Sequence, residues 1–339
     1  MSEDNKPEIS ISMDKTFQVP DNPYDYEMLE PDYERGADVL QAYKEANQDR
    51  FAEIKRCFII GNGPSLKAED LDKIKDEFSI ASNRIYLIFN QTDWRPNIFT
   101  ATDKKLIQIS VPEMSELKAE LKVLGVAKPS KAFPVDGAIC IETVANANDW
   151  LHTGKLPPFS DDASQCVYHG MSVTYLNIQL AVYLGFKEIY LIGMDHQYRR
   201  HWHALSPAVA ELLAEQLKDK PGLHGRIVSN SNVTRDHFIE GYGQGRVSAK
   251  GDDISDYCVD EVTRAYIAAK KYADAHGIKI YNASRGGKLE VFERVNFDKL
   301  INKIKLNLNN KNAETKQEKH AALSLNSKQL RNKKFKGKK

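Results

Sequence analysis

The sequence predicts an α/β protein with a doubly wound, mainly parallel Rossmann-like sheet and helices on both faces, and three observations predict it. Arg56-Cys57-Phe58-Ile59-Ile60 is a continuous apolar run that stops at Gly61-Asn62-Gly63-Pro64-Ser65 and is followed by helical periodicity. Strand, glycine turn and helix make up the βα unit of such folds. Further apolar runs alternate with amphipathic stretches along the chain, the pattern of strands buried on both faces between crossover helices. Finally, 339 residues with 41% apolar content and 31 aromatic side chains suffice for a large core and exclude a disordered chain.

The elements follow in order. Residues 1–34 are polar, contain Pro7, Pro20, Pro23 and Pro31, and form an extended arm. Residues 35–55 carry Val39, Leu40, Tyr43, Phe51 and Ile54 at spacings near 3.6, which predicts a helix. After the Arg56–Ile60 strand, Leu66 to Asp76 is helical, Phe78–Ser82 is a strand stopping at Asn83, and Asn97–Ala101 is a strand stopping at Thr102-Asp103. A helix is expected near 115–124 and a strand around Lys131 to Val135, followed by a loop from Pro157 to Ser164. Ser172 to Tyr183 is a helix with Val173, Leu176, Leu180 and Leu184 on one face, leading into a strand over Glu188–Gly193 that ends at Met194-Asp195-His196. Residues 206–218 are expected to be helical, Leu223 to Gly251 a long functional loop, Ile254 to His276 a helix closed by Gly277, and Ile278–Asn282 the last strand. The chain divides into the arm (1–34), a nucleotide-binding catalytic domain (35–300) and a tail (301–339).

Charge separates the tail from the body. Residues 301–339 hold 12 Lys and Arg against 2 Glu, a balance of +10 that leaves −9 for residues 1–300. Such a block is a solvated appendage, a contact for anionic lipid, or a nucleic-acid contact. Phe335 is its only aromatic residue, which argues against nucleic acid. No run approaches the ~18 apolar residues of a membrane span, and the acidic Met1-Ser2-Glu3-Asp4-Asn5 start is unlike a signal peptide. The expected location is cytoplasmic, with the tail offering a peripheral contact at the inner membrane. Cys57, Cys140, Cys166 and Cys258 are too dispersed for CxxC metal pairing or a disulfide framework.

Ligands of doubly wound folds bind beyond the carboxyl ends of the strands, where Asn62, Asn83, Asp103, Asp195 and Asn282 fall. The Gly61, Asn62, Gly63, Ser65 turn either admits a phosphate to its backbone amides or is simply a tight turn needing glycine. It matches neither GxGxxG nor a Walker A loop. Asp103 and Asp195 could orient a sugar or nucleotide hydroxyl, hold a divalent ion, or cap helices. His196, His201 and His203 are spaced H-x4-H-x-H, which does not fix a metal geometry at a strand end; no metal site is expected, and the set reads as solvated loop histidines or as one phosphate contact helped by Arg199 or Arg200. In Arg235-Asp236-His237-Phe238-Ile239-Glu240-Gly241-Tyr242-Gly243-Gln244-Gly245, Asp236 beside His237 offers an oriented general base, or the segment is an ordinary surface loop.

Three stretches carry a resemblance: Ile60-Gly61-Asn62-Gly63-Pro64-Ser65-Leu66, Leu184 to Asp195, and Ile280 to Phe292. The first two resemble the bacterial lipooligosaccharide sialyltransferases, and all three resemble the 6-hydroxymethylpterin diphosphokinase-like family of uncharacterised bacterial proteins. The sialyltransferase likeness implies a glycosyltransferase of polysaccharide biosynthesis that moves a nonulosonic-acid-like sugar from a CMP donor to a surface-glycan acceptor without a metal or other cofactor. In that likeness Asn62 and Asn83 sit on the nucleotide, and His237, with Asp236, matches the base. Tyr198 lies one residue beyond the family's phosphate-binding tyrosine, and Ser172 falls near its Ser-Gly nucleotide contact, with Val173 in place of the glycine. The family likeness implies an alternative, Mg²⁺-dependent transfer of pyrophosphate from ATP to a pterin alcohol, with Mg²⁺ on Asp103 or Asp195. The expected partners are a nucleotide sugar and a glycan acceptor, with no nucleic acid.

Overall fold

The computed structural model describes residues 25–145, 150–151, 155–204, 225–229, 232–239, 242 and 257–307. Nine strands form one sheet: β1 (Arg56–Ile60), β2 (Ser79–Ser82), β3 (Ile98–Ala101), β4 (Leu121–Val126), β5 (Ala138–Val144), β6 (Val167–Tyr168), β7 (Glu188–Ile192), β11 (Lys279–Asn282) and β12 (Glu293–Arg294). Their order is β12-β11-β7-β1-β2-β3-β4-β5-β6, and every neighbouring pair is parallel. A second sheet places β8 (Arg200–Ala204) between β9 (Gly225–Ser229) and β10 (Tyr257–Cys258).

Alternation along β1 shows why the run is apolar throughout. Cys57 and Ile59 enter the core on one face, together with residues of α6 (Val173–Tyr183) and α7 (Val259–Ala275). Phe58 and Ile60 enter the core on the other face, with residues of α3 (Ala68–Lys73), α4 (Lys104–Gln108) and α5 (Val111–Glu116). Successive side chains of a strand point to opposite faces, so a strand covered on both sides has no polar position to offer. The doubly wound α/β fold is therefore as the sequence predicts.

Several elements differ from expectation. The helix expected over 35–55 is two, α1 (Tyr33–Ala46) and α2 (Gln48–Ile54), broken at Asn47. The stretch expected as a helix near 115–124 ends as α5 at Glu116 and becomes β4, in which five of six residues are buried. At Gly125 a Cβ would meet Thr143, Leu176 and Thr102, so β4 lies close under α6 and cannot carry a larger residue there. Lys131 to Val135 form no strand beyond one bridge, Leu29 to Ala132. The neighbour of β4 is β5, which alternates buried and half-buried residues. The expected helix from Ile254 starts instead at Val259, behind β10, and β9 lies within the expected 223–251 loop. The helix expected at 206–218 lies outside the described residues.

The last of the described residues form a helix over 297–307. Ile301 and Ile304 of that helix are buried in the core. The domain boundary expected after residue 300 therefore cuts through a packed element. The four cysteines are free, Cys57 buried and the others half-buried. Among the described residues no helix is long and apolar enough to cross a membrane.

Candidate active site

β1 and β7 are neighbours, yet the helix that follows β1 lies on one face of the sheet and α7, which follows β7, lies on the other. Loops that part in this way leave a crevice at the carboxyl ends of the strands. A cavity of about 490 Å³ occupies it, within the range of small-molecule sites. Gly61, Asn62 and Gly63 of the β1 turn, Asn83 after β2 and Asp103 after β3 line it, with Ser172 before α6, Asp195 and Tyr198 after β7, and Asp236 and His237. Ten of the eleven residues expected at a site thus share one cavity; Ser65 is the exception.

Ser65 instead helps to build the floor. Its amide and its Oγ both donate to Oδ2 of Asp195, at 3.0 and 2.8 Å, while the Asp195 carbonyl accepts from the Lys288 amide at 2.7 Å. Gly61 N donates to Ile192 O and Gly63 N to Gly193 O, both at 2.8 Å. The turns after β1, β7 and β11 are thereby knitted together. Gly63 has a steric reason distinct from the expected approach of a phosphate: a Cβ there would collide with the Asp195 carboxylate and the Gly193 carbonyl. Gly287, with φ of 83°, likewise presses its backbone against that of Asp195. The helix expected over Leu66 to Asp76 starts only at Ala68 and has six residues.

Two further polar residues serve the fold as caps. Asp103 Oδ1 accepts from the amides of Lys105 and Leu106 at 3.0 and 3.1 Å, capping α4. Ser172 Oγ accepts from Thr174 N at 3.2 Å, capping α6. Both residues still line the cavity. Asn62 donates through Nδ2 to the Ser82 carbonyl at 3.0 Å, which turns its Oδ1 into a buried acceptor without a partner; Asn83 Oδ1 is in the same condition. Buried acceptors without donors are rare because each forfeits its hydrogen bond to water.

The segment bearing His237 packs onto the strand ends. Phe238 N donates to the Asn62 carbonyl at 2.9 Å, Phe238 and Tyr242 are buried, and the Tyr242 hydroxyl accepts from Arg84 N at 3.2 Å. The His237 ring stacks on Tyr242, with centroids 3.8 Å apart. Asp236 has a different employment from the one expected. Its carboxylate accepts from the Arg199 amide at 2.6 Å and from Arg199 Nε at 3.3 Å, which ties the His237 segment to the strand-end loop after β7. Tyr242, rather than Asp236, sets the plane of the His237 ring.

Sequence reasoning missed His169, Met171, Tyr242 and Tyr266, which also line the cavity, and read His196, with His201 and His203, as a solvated loop histidine or a phosphate contact. Burial lowers the pKa of His169 and pushes that of His196 down to about 4. Backbone strain marks the same place. Among the described non-glycine residues with left-handed φ, Lys55 caps α2, an ordinary setting. The other three, Asn83, Met171 and His196, all line the cavity, and strained positions gather at functional sites. The sequence signals glycine turns but carries no mark of a left-handed methionine or histidine.

The fold and site define a doubly wound α/β protein with a polar cleft at its topological switch point. Residues 37–201 match the family model described as 6-hydroxymethylpterin diphosphokinase MptE-like. That span contains the first two of the resembling stretches, and the third lies beyond it. Among solved structures, the MAf glycosyltransferase from Magnetospirillum magneticum AMB-1 is similar at 15% identity, over 72% of this chain and 34% of that one, with a TM-score of 0.39. The chain thus spans about a third of that neighbour's length. No curated protein matches the chain.

Proposed function

We propose that the protein is a glycosyltransferase of the sialyltransferase type, moving a nonulosonic-acid-like sugar from a CMP donor to a surface-glycan acceptor. The observation that carries this reading is His237, stacked on Tyr242 and facing the same cavity as the polar ends of β1, β2, β3 and β7. In the reaction the acceptor oxygen forms a bond to the anomeric carbon as the bond from that carbon to the phosphate oxygen breaks. The electron pair leaves with CMP, and the acceptor proton passes to His237 as general base. CMP is a stable leaving group whose phosphate needs hydrogen-bond donors more than a metal, and Tyr198 is such a donor on the cavity wall. The basic tail would hold the enzyme against anionic lipid, near a lipid-linked acceptor.

The matching family model favours a second reading, Mg²⁺-dependent pyrophosphoryl transfer from ATP to a pterin alcohol. Asp103 or Asp195 would have to hold the metal, and each already gives an oxygen to two hydrogen bonds within the fold, which supports the first reading. Thermal shift with CMP, UDP, GDP and ATP, with and without Mg²⁺, separates the two. CMP at 100 times its Kd should add about 2.7 kcal/mol of stability, and EDTA should leave transfer intact. Stabilisation by ATP alone, and turnover of a pterin alcohol only with Mg²⁺, would replace the first reading by the second.

A further inference from the structure

His196 follows Asp195 at the end of β7 and holds a left-handed backbone, φ of 49°. Its Nε2 lies 2.7 Å from Thr263 Oγ1, and that hydroxyl donates to the Val259 carbonyl at 2.8 Å within α7. A hydroxyl has a single proton. With that proton directed to Val259, Thr263 can only accept, so the hydrogen of His196 sits on Nε2 and the lone pair on Nδ1. Nδ1 is buried and has no hydrogen-bond partner, while the residue lines the cavity. The ring lies near Tyr266 and Tyr198, with centroids 5.5 and 6.4 Å away. Asp260 is the charged group acting on it, and burial outweighs Asp260 to keep the ring neutral.

These facts converge on a ligand. The fold holds a histidine in a backbone conformation that disfavours it, fixes its tautomer through one nitrogen, and leaves the other as a buried, unused acceptor in a residue that lines the cleft. A neutral lone pair repels phosphate oxygens and accepts from hydroxyls. We propose that His196 is a ligand-binding residue of the cleft, accepting through Nδ1 a hydrogen bond from a hydroxyl of the bound nucleotide sugar, on either its ribose or its sugar. The proposal rests on the nucleotide-sugar reading above.

The two nitrogens can be tested separately. Asparagine places Oδ1 where Nδ1 stands and tolerates a left-handed backbone; glutamine reaches the Nε2 position and keeps a partner for Thr263. A ligand role at Nδ1 therefore predicts that His196→Asn retains affinity within about threefold while His196→Gln loses tenfold or more, and a purely structural role at Nε2 predicts the reverse. Binding of CMP and of CMP-N-acetylneuraminate is measured by calorimetry on the full chain. Loss for both compounds in His196→Gln assigns the hydroxyl to the ribose, and loss for the CMP-sugar alone assigns it to the sugar. Unchanged affinity for both overturns the proposal and leaves the nucleotide reading standing. Failure of the wild-type protein to bind either compound overturns the reading and this proposal together. If a variant fails to fold, wild-type protein labelled with ¹⁵N-histidine decides: the Nδ1 resonance of His196 should move upfield on saturation, and a stationary resonance overturns the proposal.

Discussion

His237 lies flat on Tyr242, the ring centroids 3.8 Å apart and the planes within 6°. The stack fixes the plane in which the imidazole can reach a proton, and Tyr242 is itself fixed through its hydroxyl on the Arg84 amide. His237→Ala should lower kcat by roughly 10²–10⁴, the range for losing one positioned base, with little change in donor affinity. Tyr242→Phe keeps the ring and should keep most of the turnover; Tyr242→Leu removes it and should reduce kcat at unchanged donor Kd. Full turnover in His237→Ala would end its assignment as the base.

Asp195 should behave as a structural residue. Its Oδ2 receives two hydrogen bonds from Ser65, and bonds to a charged acceptor are worth about 1.5–3 kcal/mol each. Asp195→Ala should lower unfolding stability by about 2–4 kcal/mol in urea titration, and Gly63→Val should also destabilise the fold through its clash with Asp195. A folded Gly63→Val protein of unchanged melting temperature that has lost only nucleotide affinity would refute this account and restore the phosphate-cradle expectation.

Acid should destabilise the protein through His196. Its pKa in the folded state is about 4, below the ~6.5 of an unfolded chain. As pH falls, the unfolded state takes up the proton first. The contribution is therefore constant above about pH 6.5, declines between 6.5 and 4, and levels off below, for a total of about 3 kcal/mol. His169 shifts in the same direction. Urea titrations at pH 7 and pH 5 should show a wild-type loss about 2 kcal/mol greater than that of His196→Asn. Equal losses in the two proteins would mean that His196 titrates normally.

The basic tail should be removable only from residue 308 onward. Truncation after residue 307 should leave the melting temperature unchanged and reduce sedimentation with anionic liposomes, because the segment removed carries most of the positive charge. Truncation after residue 300 also removes the buried Ile301 and Ile304 and should cost several kcal/mol. Equal liposome binding with and without residues 308–339 would remove the membrane contact.

Sequence patterning shows β1, β2, β3, β7 and β11 plainly, since each is an apolar run ending in a polar or glycine turn. β4 is less plain: Leu121, Val123 and Leu124 fit a helical face as well as a strand, and its pairing with β3 and β5 is not visible in the run itself. The two-residue strands β6, β10 and β12 exist by pairing, with no run of their own. The membership of the cleft is legible because polar residues at strand ends have few other places to go. The tasks of those residues are not, since Asp195 finds Ser65 across 130 positions of chain and the His196 tautomer depends on a hydroxyl of α7.

The left-handed backbones of Asn83, Met171 and His196 set two kinds of selection against each other. Such a conformation costs a residue with a side chain about 1–2 kcal/mol, more than the roughly 0.4–1 kcal/mol of extra chain entropy that glycine would bring. On these figures stability of the backbone alone would favour glycine at Met171 and His196, and the proposed reaction supplies a reason to keep their side chains. A relative that has retired from catalysis while keeping the fold should be recognisable by glycine at these positions, before any change appears in its core.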